Sequence, residues 1–216
     1  MKIIRTLFLI SLFLFSFNSS AQIYKFDKFA VYENKTDSIE SNVYCNSNNS
    51  NYFLRIINSY HGQEALVYDL INKKVHYFDV TKKSIEKDLT EVSFKYKNSR
   101  KVIENVKFNY FFEYIKINED SLYNYSKLVV YKNKSKKKII NEIELKIKKD
   151  KSSYFPLYRF CTMHTFEFNT EMNFSVDGII EASRTKKNDL ITNEIVLTNF
   201  EDFDLELFIP KEIIIK

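Results

Sequence analysis

The residues best suited to metal chemistry are two cysteines and three histidines. Cys161 and His164 have the C-x-x-H spacing found in zinc sites, and His61 and His76 lie further upstream. A zinc site needs three or four such ligands that converge. Here the spacing does not recur, and no paired C-x-x-C or H-E-x-x-H motif is present. We therefore predict neither a metal site nor a cofactor.

Nucleophilic and acid–base chemistry also has little support. The glycine-dependent motifs of serine hydrolases and nucleotide-binding folds do not occur in this chain, which has only two glycines. A nucleophilic set could be drawn from Cys161, His164 and an acid, but most proteins allow such a choice. The carboxylates at Glu119–Asp120 and Glu201–Asp204 fall in predicted turns, where solvated acids are expected. We assign no catalytic residue and favour a non-enzymatic protein.

The N-terminus has the pattern of a secretory signal peptide. Lys2 and Arg5 precede an apolar run over 7–17, and small residues form a cleavage site that ends at Ala21. The run is shorter than the roughly 20 residues that a helix needs to cross a bilayer. We predict that residues 1–21 are removed and that the remaining 195 of 216 residues are exported, to the periplasm or to the medium.

Export bears on the two cysteines. In an oxidising compartment two cysteines most simply form one disulfide. A Cys45–Cys161 bond would close a long loop, with a stabilisation of about 4 to 5 kcal/mol in the chain-entropy model. The sequence does not show whether the two Cα atoms approach within roughly 7 Å. Two free, buried thiols are the alternative.

Composition excludes several classes of protein. The leader carries two basic and no acidic residues, so its loss lowers the formal net charge from +5 to +3, too little to predict a nucleic-acid partner. Two glycines and two prolines exclude collagen-like and low-complexity chains. The chain has 15 Tyr and 20 Phe, and this aromatic content favours strands over helices.

Short runs rich in β-branched and aromatic residues predict an antiparallel all-β domain over residues 22–216. We expect a curved sheet, half-barrel or sandwich of about a dozen strands, with Lys82–Leu89 as one short helix. Ile23–Glu33 reads as an opening strand, and Asp177–Gly178 as a hairpin turn between the strands Met172–Val176 and Ile179–Ser183. Ile191–Thr198 and Leu205–Ile209 read as the closing strands. Two meanders form the centre of the prediction: Tyr52–Ile57, Ala65–Ile71 and Val75–Val80, then Lys107–Ile117, Leu122–Tyr131 and Ile139–Ile147.

Aromatic side chains occur on both faces of several predicted strands, more than one core needs. The leading hypothesis is an exported binding protein that holds an apolar ligand or acyl chain on an aromatic concave face. The candidate face is formed by alternating residues of one strand: Phe108, Tyr110, Phe112 and Tyr114. The alternatives are a secreted surface module without a cavity, with a cell-envelope protein as partner, and a hydrolase with an unrecognised site.

Charge patterning adds two expectations. Residues 132–151 carry nine lysines, which predicts either a basic tip that touches anionic lipid or polysaccharide, or a solvated hairpin end with charged gatekeepers. Charges on both faces of the longest strands, such as Glu113, Lys116 and Lys127, lead us to expect no membrane-spanning segment after leader removal.

The end of the chain resembles the periplasmic lipoprotein carrier family. The spaced pair Ile195 and Leu197 precedes a strand that ends in Phe208, Ile209 and Pro210, and this order is similar to the closing strands of that family. The resemblance implies a curved sheet that cups an apolar cavity for acyl chains, without catalysis. More generally, the chain resembles secreted β-rich proteins of Gram-negative bacteria.

Overall fold

The computed structural model describes residues 22–59, 62–86, 89–102, 110–162, 176–187 and 190–210. Within these residues the chain forms one antiparallel sheet of 11 strands and one short helix, so the predicted all-β class is confirmed. The strands are β1 (Gln22–Asn34), β2 (Ile39–Asn46), β3 (Asn49–Ser59), β4 (Gly62–Asp69), β5 (Lys74–Glu86), β6 (Leu89–Lys101), β7 (Phe111–Glu119), β8 (Tyr123–Tyr131), β9 (Ile139–Lys148), β10 (Ile179–Lys187) and β11 (Leu190–Ile209). The helix is α1 (Phe155–Thr162). The predicted leader lies outside the described residues.

The order of strands shows that the sheet must curve. It runs β6-β5-β4-β3-β2-β1-β11-β10-β9-β8-β7, so neighbours follow chain order everywhere except where β1 pairs with β11. Successive strands β6 and β7 lie at opposite edges, although Lys101 and Phe111, which end and begin them, are at most about 36 Å apart along the chain. A flat sheet of this size would be about 48 Å wide. Curvature brings the edges within reach of each other.

Both predicted meanders are confirmed, as β3–β5 and β7–β9, although the first residues of the second one, 107–109, lie outside the described residues. The predicted helix over Lys82–Leu89 is wrong, because β5 continues to Glu86 and pairs with β6 along this stretch. A short helix is marginal on its own, and ladder hydrogen bonds to a neighbouring strand outweigh its weak local signal. The predicted closing strands 191–198 and 205–209 are parts of one strand, β11.

The sheet buries apolar side chains on both faces, and each face belongs to a different core. In β3, Phe53 lies in one core and Leu54 in the other, and Val43 and Tyr44 of β2 divide in the same way. Successive residues of a strand point to opposite faces, so the two cores lie back to back. We call them the helix core, which contains α1, and the ribbon core.

The ribbon core is covered by the ends of β1 and β11. Residues 22–26 pair with β11 but not with β2, because a bulge at Asp27 separates them from the rest of β1. We call this two-stranded extension, 22–26 with 205–209, the ribbon. Asp27 accepts hydrogen bonds from the N–H and hydroxyl of Ser47 at 2.7 and 2.5 Å, which fixes the bulge. The ribbon core contains Tyr24, Phe26, Tyr44, Leu54, Ala65, Val67, Phe78, Leu207 and Ile209.

Helix α1 covers the other face, in a segment for which the sequence predicted no element. Pro156 is its second residue, where a missing N–H leaves no intrahelical bond unmade. The ring of Phe160 stacks on Phe53 with centroids 3.8 Å apart, and the Tyr158 hydroxyl donates to Ser183 Oγ at 2.9 Å. Among the described residues, no helix has the length and apolar character needed to cross a membrane.

Gly178 connects the start of β10 to the segment before α1. Its φ is +102°, whereas Asp177 is not among the described residues with positive φ. A two-residue Asp-Gly turn needs a positive φ at both positions. The predicted turn is therefore not formed. Instead the Gly178 N–H donates to Ser152 O at 2.8 Å, and its carbonyl accepts from Tyr154 N–H at 3.0 Å. Part of the strand predicted before it, 172–175, lies outside the described residues.

We predict that Gly178→Ala lowers the free energy of unfolding by about 2 to 4 kcal/mol. A Cβ at this position would lie 2.2 Å from the Lys148 carbonyl oxygen, so backbone must move. Gly62→Ala is the matched control, since φ is +117° there but a Cβ meets nothing within 4 Å; we expect a loss of about 1 to 2 kcal/mol. Urea unfolding measures both, and equal losses would contradict the close-approach argument.

Candidate functional site

Cys45 and Cys161 are free thiols, both buried in the helix core. The disulfide expected from export is not formed, and the alternative of two buried thiols is what the structure has. Burial raises the pKa of Cys45 to about 12 and also raises the pKa of Cys161. Because the thiolate is the reactive form, neither sulfur is suited to act as a nucleophile near neutral pH.

His76 is the one histidine within the described residues, since His61 and His164 lie outside them. Its side chain is 1% exposed, so it does not decorate a strand surface as a solvated residue would. In the part of the chain that the structure describes, no three His, Cys, Asp or Glu side chains converge as metal ligands would.

His76 lies at the centre of a hydrogen-bonded series that we call the polar chain, formed by Ser99, His76, Tyr24 and Asp69. Nδ1 of His76 is 2.6 Å from Ser99 Oγ, and Nε2 is 2.9 Å from the Tyr24 hydroxyl. The Tyr24 hydroxyl donates to Asp69 Oδ2 at 2.6 Å. The Tyr96 hydroxyl, 2.7 Å from Ser99 Oγ, extends the series. Four strands, β1, β4, β5 and β6, are linked in this way.

One direction of hydrogen bonding satisfies every member of the polar chain. Since the Tyr24 hydroxyl donates to Asp69, its oxygen can accept from Nε2–H of His76. A neutral imidazole then has an unprotonated Nδ1, which accepts the proton of the Ser99 hydroxyl. This tautomer is inferred from the hydrogen bonds. It places a serine oxygen against a basic nitrogen.

The carboxylate at the end of the polar chain is stabilised in its charged form. Burial alone would raise the pKa of Asp69, but hydrogen bonds from Asn72, Tyr24 and Gln22 outweigh that effect and hold the pKa below its usual value. Burial, followed by the hydrogen bond to Asp69, raises the pKa of Tyr24. Tyr24 therefore keeps its proton and Asp69 its charge at neutral pH.

Sequence reasoning missed the polar chain because no local motif encodes it. Ser99 faces His76 through the pairing of β5 with β6. Tyr24 reaches Asp69 only because the ribbon folds over the sheet. The available signal was a histidine within an apolar strand run, Val75–Val80, which indicates a polar partner on a neighbouring strand.

The predicted aromatic face has a different environment. Phe112 is 7% exposed within the helix core, and Tyr110 and Tyr114 pack against that core. The Tyr114 hydroxyl lies 2.7 Å from Ser126 Oγ. Phe108 lies outside the described residues. The three described members thus contact protein groups on the face of the sheet that α1 covers.

A pocket of about 280 Å³ lies against β7–β10 and has mostly apolar walls. Tyr125, Lys146 and Ala182 are in register across β8, β9 and β10, so their side chains share one face. Leu145, the neighbour of Lys146, lies in the helix core, which places this row on the opposite, outer face. The pocket is lined by Ile117, Tyr125, Ser126, Glu144, Leu145, Lys146, Ala182, Ser183 and Arg184.

The charges at the rim of the pocket are already paired. Lys186 Nζ lies 2.7 Å from Glu144, Lys146 Nζ lies 3.2 Å from Glu181, and Arg184 Nε lies 2.8 Å from Glu194. These cross-strand pairs are partly exposed, so each contributes little stability. Because each charge is balanced by its partner, the rim of the apolar pocket carries little net charge.

The acidic residues at 119–120 and 201–204 have structural roles. The turn predicted at Glu201–Asp204 is wrong, because these residues lie within β11, where ladder pairing with β1 continues. Asp120 accepts hydrogen bonds from the N–H groups of Leu122 and Tyr123 at 2.8 and 2.7 Å, and Glu119 lies 2.9 Å from Lys149 Nζ. Asp202 forms an ion pair with Lys28. None of these contacts arranges two carboxylates as an acid–base pair.

No protein-family model matches the chain, and no curated protein matches it either. The resemblance to the lipoprotein carrier family stays a prediction from the last strands.

We predict that Asp69→Asn lowers the free energy of unfolding by about 2 to 4 kcal/mol at neutral pH, because charge-assisted hydrogen bonds are lost in a buried site. The folded-state pKa of Asp69 lies below the unfolded value near 4. Its contribution is therefore present above about pH 4 and is lost as the pH falls through the folded pKa.

Urea unfolding over a pH series tests this. The difference in the free energy of unfolding between wild type and Asp69→Asn should become smaller as the pH is lowered. Asp79→Asn removes an exposed carboxylate that pairs with Lys97 and should change stability by about 0.5 kcal/mol. A gap that stays constant through acid pH would show that Asp69 does not act through its charge.

Proposed function

We propose that the protein is an exported, non-enzymatic binding protein whose outer-face pocket holds a small apolar ligand. The observation that carries the proposal is the pocket along β7–β10, which has mostly apolar walls and a lining that includes the short side chain of Ala182. The leader sequence supports export. The resemblance to lipoprotein carriers supports an acyl-type ligand.

Size and charge narrow the class of ligand. A volume of about 280 Å³ lies just below the range of small-molecule pockets, about 300 to 1,000 Å³. One short acyl chain or one small ring system would fit. Because the rim charges pair with each other, we expect selection for an uncharged apolar body.

The test uses the uncharged fluorophore N-phenyl-1-naphthylamine. Wild type should bind it saturably, with one site per chain. Ala182→Phe places a ring in the pocket and should weaken binding about tenfold or more. Thr81→Phe, a change to the same residue at an exposed position of β5, should leave the affinity unchanged.

Circular dichroism and urea unfolding establish that both variants are folded before binding is compared. Absence of saturable binding to wild type would overturn the proposal. Equal binding by Ala182→Phe would remove the pocket as the site.

A second candidate function is that of a serine hydrolase, which the polar chain favours. Ser99 is half-buried, unlike His76 and Asp69, which are buried. With Nδ1 of His76 as general base, the Ser99 oxygen could attack an ester carbonyl carbon. The serine proton would pass to Nδ1 and then to the leaving alcohol, and water would later release the acid. Tyr24 and Asp69 would orient the imidazole and stabilise its charged form.

A fluorophosphonate probe with intact-mass readout tests this candidate. Hydrolase chemistry predicts one adduct on wild type, lost in Ser99→Ala and retained in Ser93→Ala, where the serine is exposed on the same strand. No adduct on wild type, or an adduct that survives Ser99→Ala, would rule out Ser99 as a nucleophile.

A further inference from the structure

The nine-lysine segment is divided by β9 into two different ends of the sheet. Five lysines lie in the β8–β9 loop, 132–138, which contains no acidic residue. Four others lie near the far end of β9 or beyond it, among Glu119, Asp120 and Asp150. The charge is thus concentrated at the loop end.

The loop lysines are exposed and differ from the lysines of the strands. Lys127, Lys146 and Lys186 each pair with a carboxylate on a neighbouring strand. Within the loop, Lys136 lies 2.6 Å from Glu113. For the other four no ion pair occurs within the described part of the chain: Lys132, Lys134, Lys137 and Lys138.

The loop has a defined shape. The Lys132 N–H donates to the Lys138 carbonyl at 2.9 Å and closes it. Asn133 Oδ1 accepts from the N–H and hydroxyl of Ser135. The lysines are therefore presented from a closed turn, and their charges are held close together in space.

Exposed aliphatic side chains lie at the same end of the sheet. Antiparallel pairing sets Lys186 opposite Glu142, so the end of β10 lies beside the β8–β9 loop, on a neighbouring strand about 5 Å away. Leu190 and Ile191, at the start of β11, are 71% and 55% exposed, and Ile139, at the start of β9, is 50% exposed.

We propose that this end of the sheet, the β8–β9 loop with Leu190 and Ile191 at the start of β11, binds the surface of an anionic lipid bilayer. Lysines near such a surface each contribute about 1 kcal/mol, and aliphatic side chains add binding energy by entering the headgroup boundary. A cluster of unpaired lysines beside exposed Leu and Ile side chains fits a surface that is both charged and apolar. A soluble polyanion would use the lysines alone. The inference is independent of the pocket ligand.

Co-sedimentation with lipid vesicles tests the proposed membrane binding. The experiment uses the full chain as expressed, and intact-mass measurement records its N-terminus. Wild type should bind phosphatidylglycerol-containing vesicles and not pure phosphatidylcholine vesicles. Lys137→Gln with Lys138→Gln should weaken partitioning about tenfold to thirtyfold. Leu190→Ser with Ile191→Ser should weaken partitioning roughly several-fold, because apolar contact with the bilayer is lost.

The matched control is Lys148→Gln with Lys151→Gln, which makes the same charge change at the opposite end of β9 and should leave partitioning nearly unchanged. Every variant carries the same N-terminus, so that contribution cancels. An equal loss in this control would overturn the proposal, because net charge alone would explain binding. Competition by a soluble sulfated polysaccharide, with no effect of the Leu190 and Ile191 changes, would replace the bilayer with a polysaccharide partner.

Discussion

The pairing of β1 with β11 is the constraint on which the rest of the structure depends. It joins the first and last strands in chain order, which are 13 and 20 residues long, and so unites β1–β6 and β7–β11 in one sheet. Without it each of these two groups of strands would have another open edge, and the ribbon would have no second strand. Since this contact links residues far apart in sequence, we expect it to form late and to slow folding.

The bulge at Asp27 explains how a sheet with two apolar faces buries both. A single layer has no second layer of its own to cover it. Here α1 covers one face, and the ribbon covers the other because the extra residue at Asp27 separates 22–26 from the β2 ladder. The hydrogen bonds that Ser47 donates to Asp27 fix the position of the bulge. The polar chain exists only because the ribbon crosses β4 and β5 at this place.

Sequence alone predicted the strands well because residue alternation is a local property. In the strand predicted as Ile139–Ile147, alternation puts Leu145 and Ile147 on one face, and both are almost fully buried. Helix α1 could not be predicted in this way, since its eight residues owe their conformation to packing under the sheet. The pocket depends on Ala182 lying beside Lys146, which only the register of β9 and β10 defines. The ribbon needs a bulge, which has no strong signature at Asp27.

A structural role accounts for every member of the polar chain. Apolar groups could fill the ribbon core with equal stability, but they would let the ribbon slide, whereas the bond from Tyr24 to Asp69 fixes its register on the sheet. Once Tyr24 accepts from Nε2 of His76, the buried Nδ1 needs a donor, and Ser99 supplies it. Catalysis would use the same bonds without change. The two interpretations therefore differ in a single physical quantity, the access of a substrate carbonyl to Ser99 Oγ, because the geometry that activates the oxygen is the geometry that holds the ribbon.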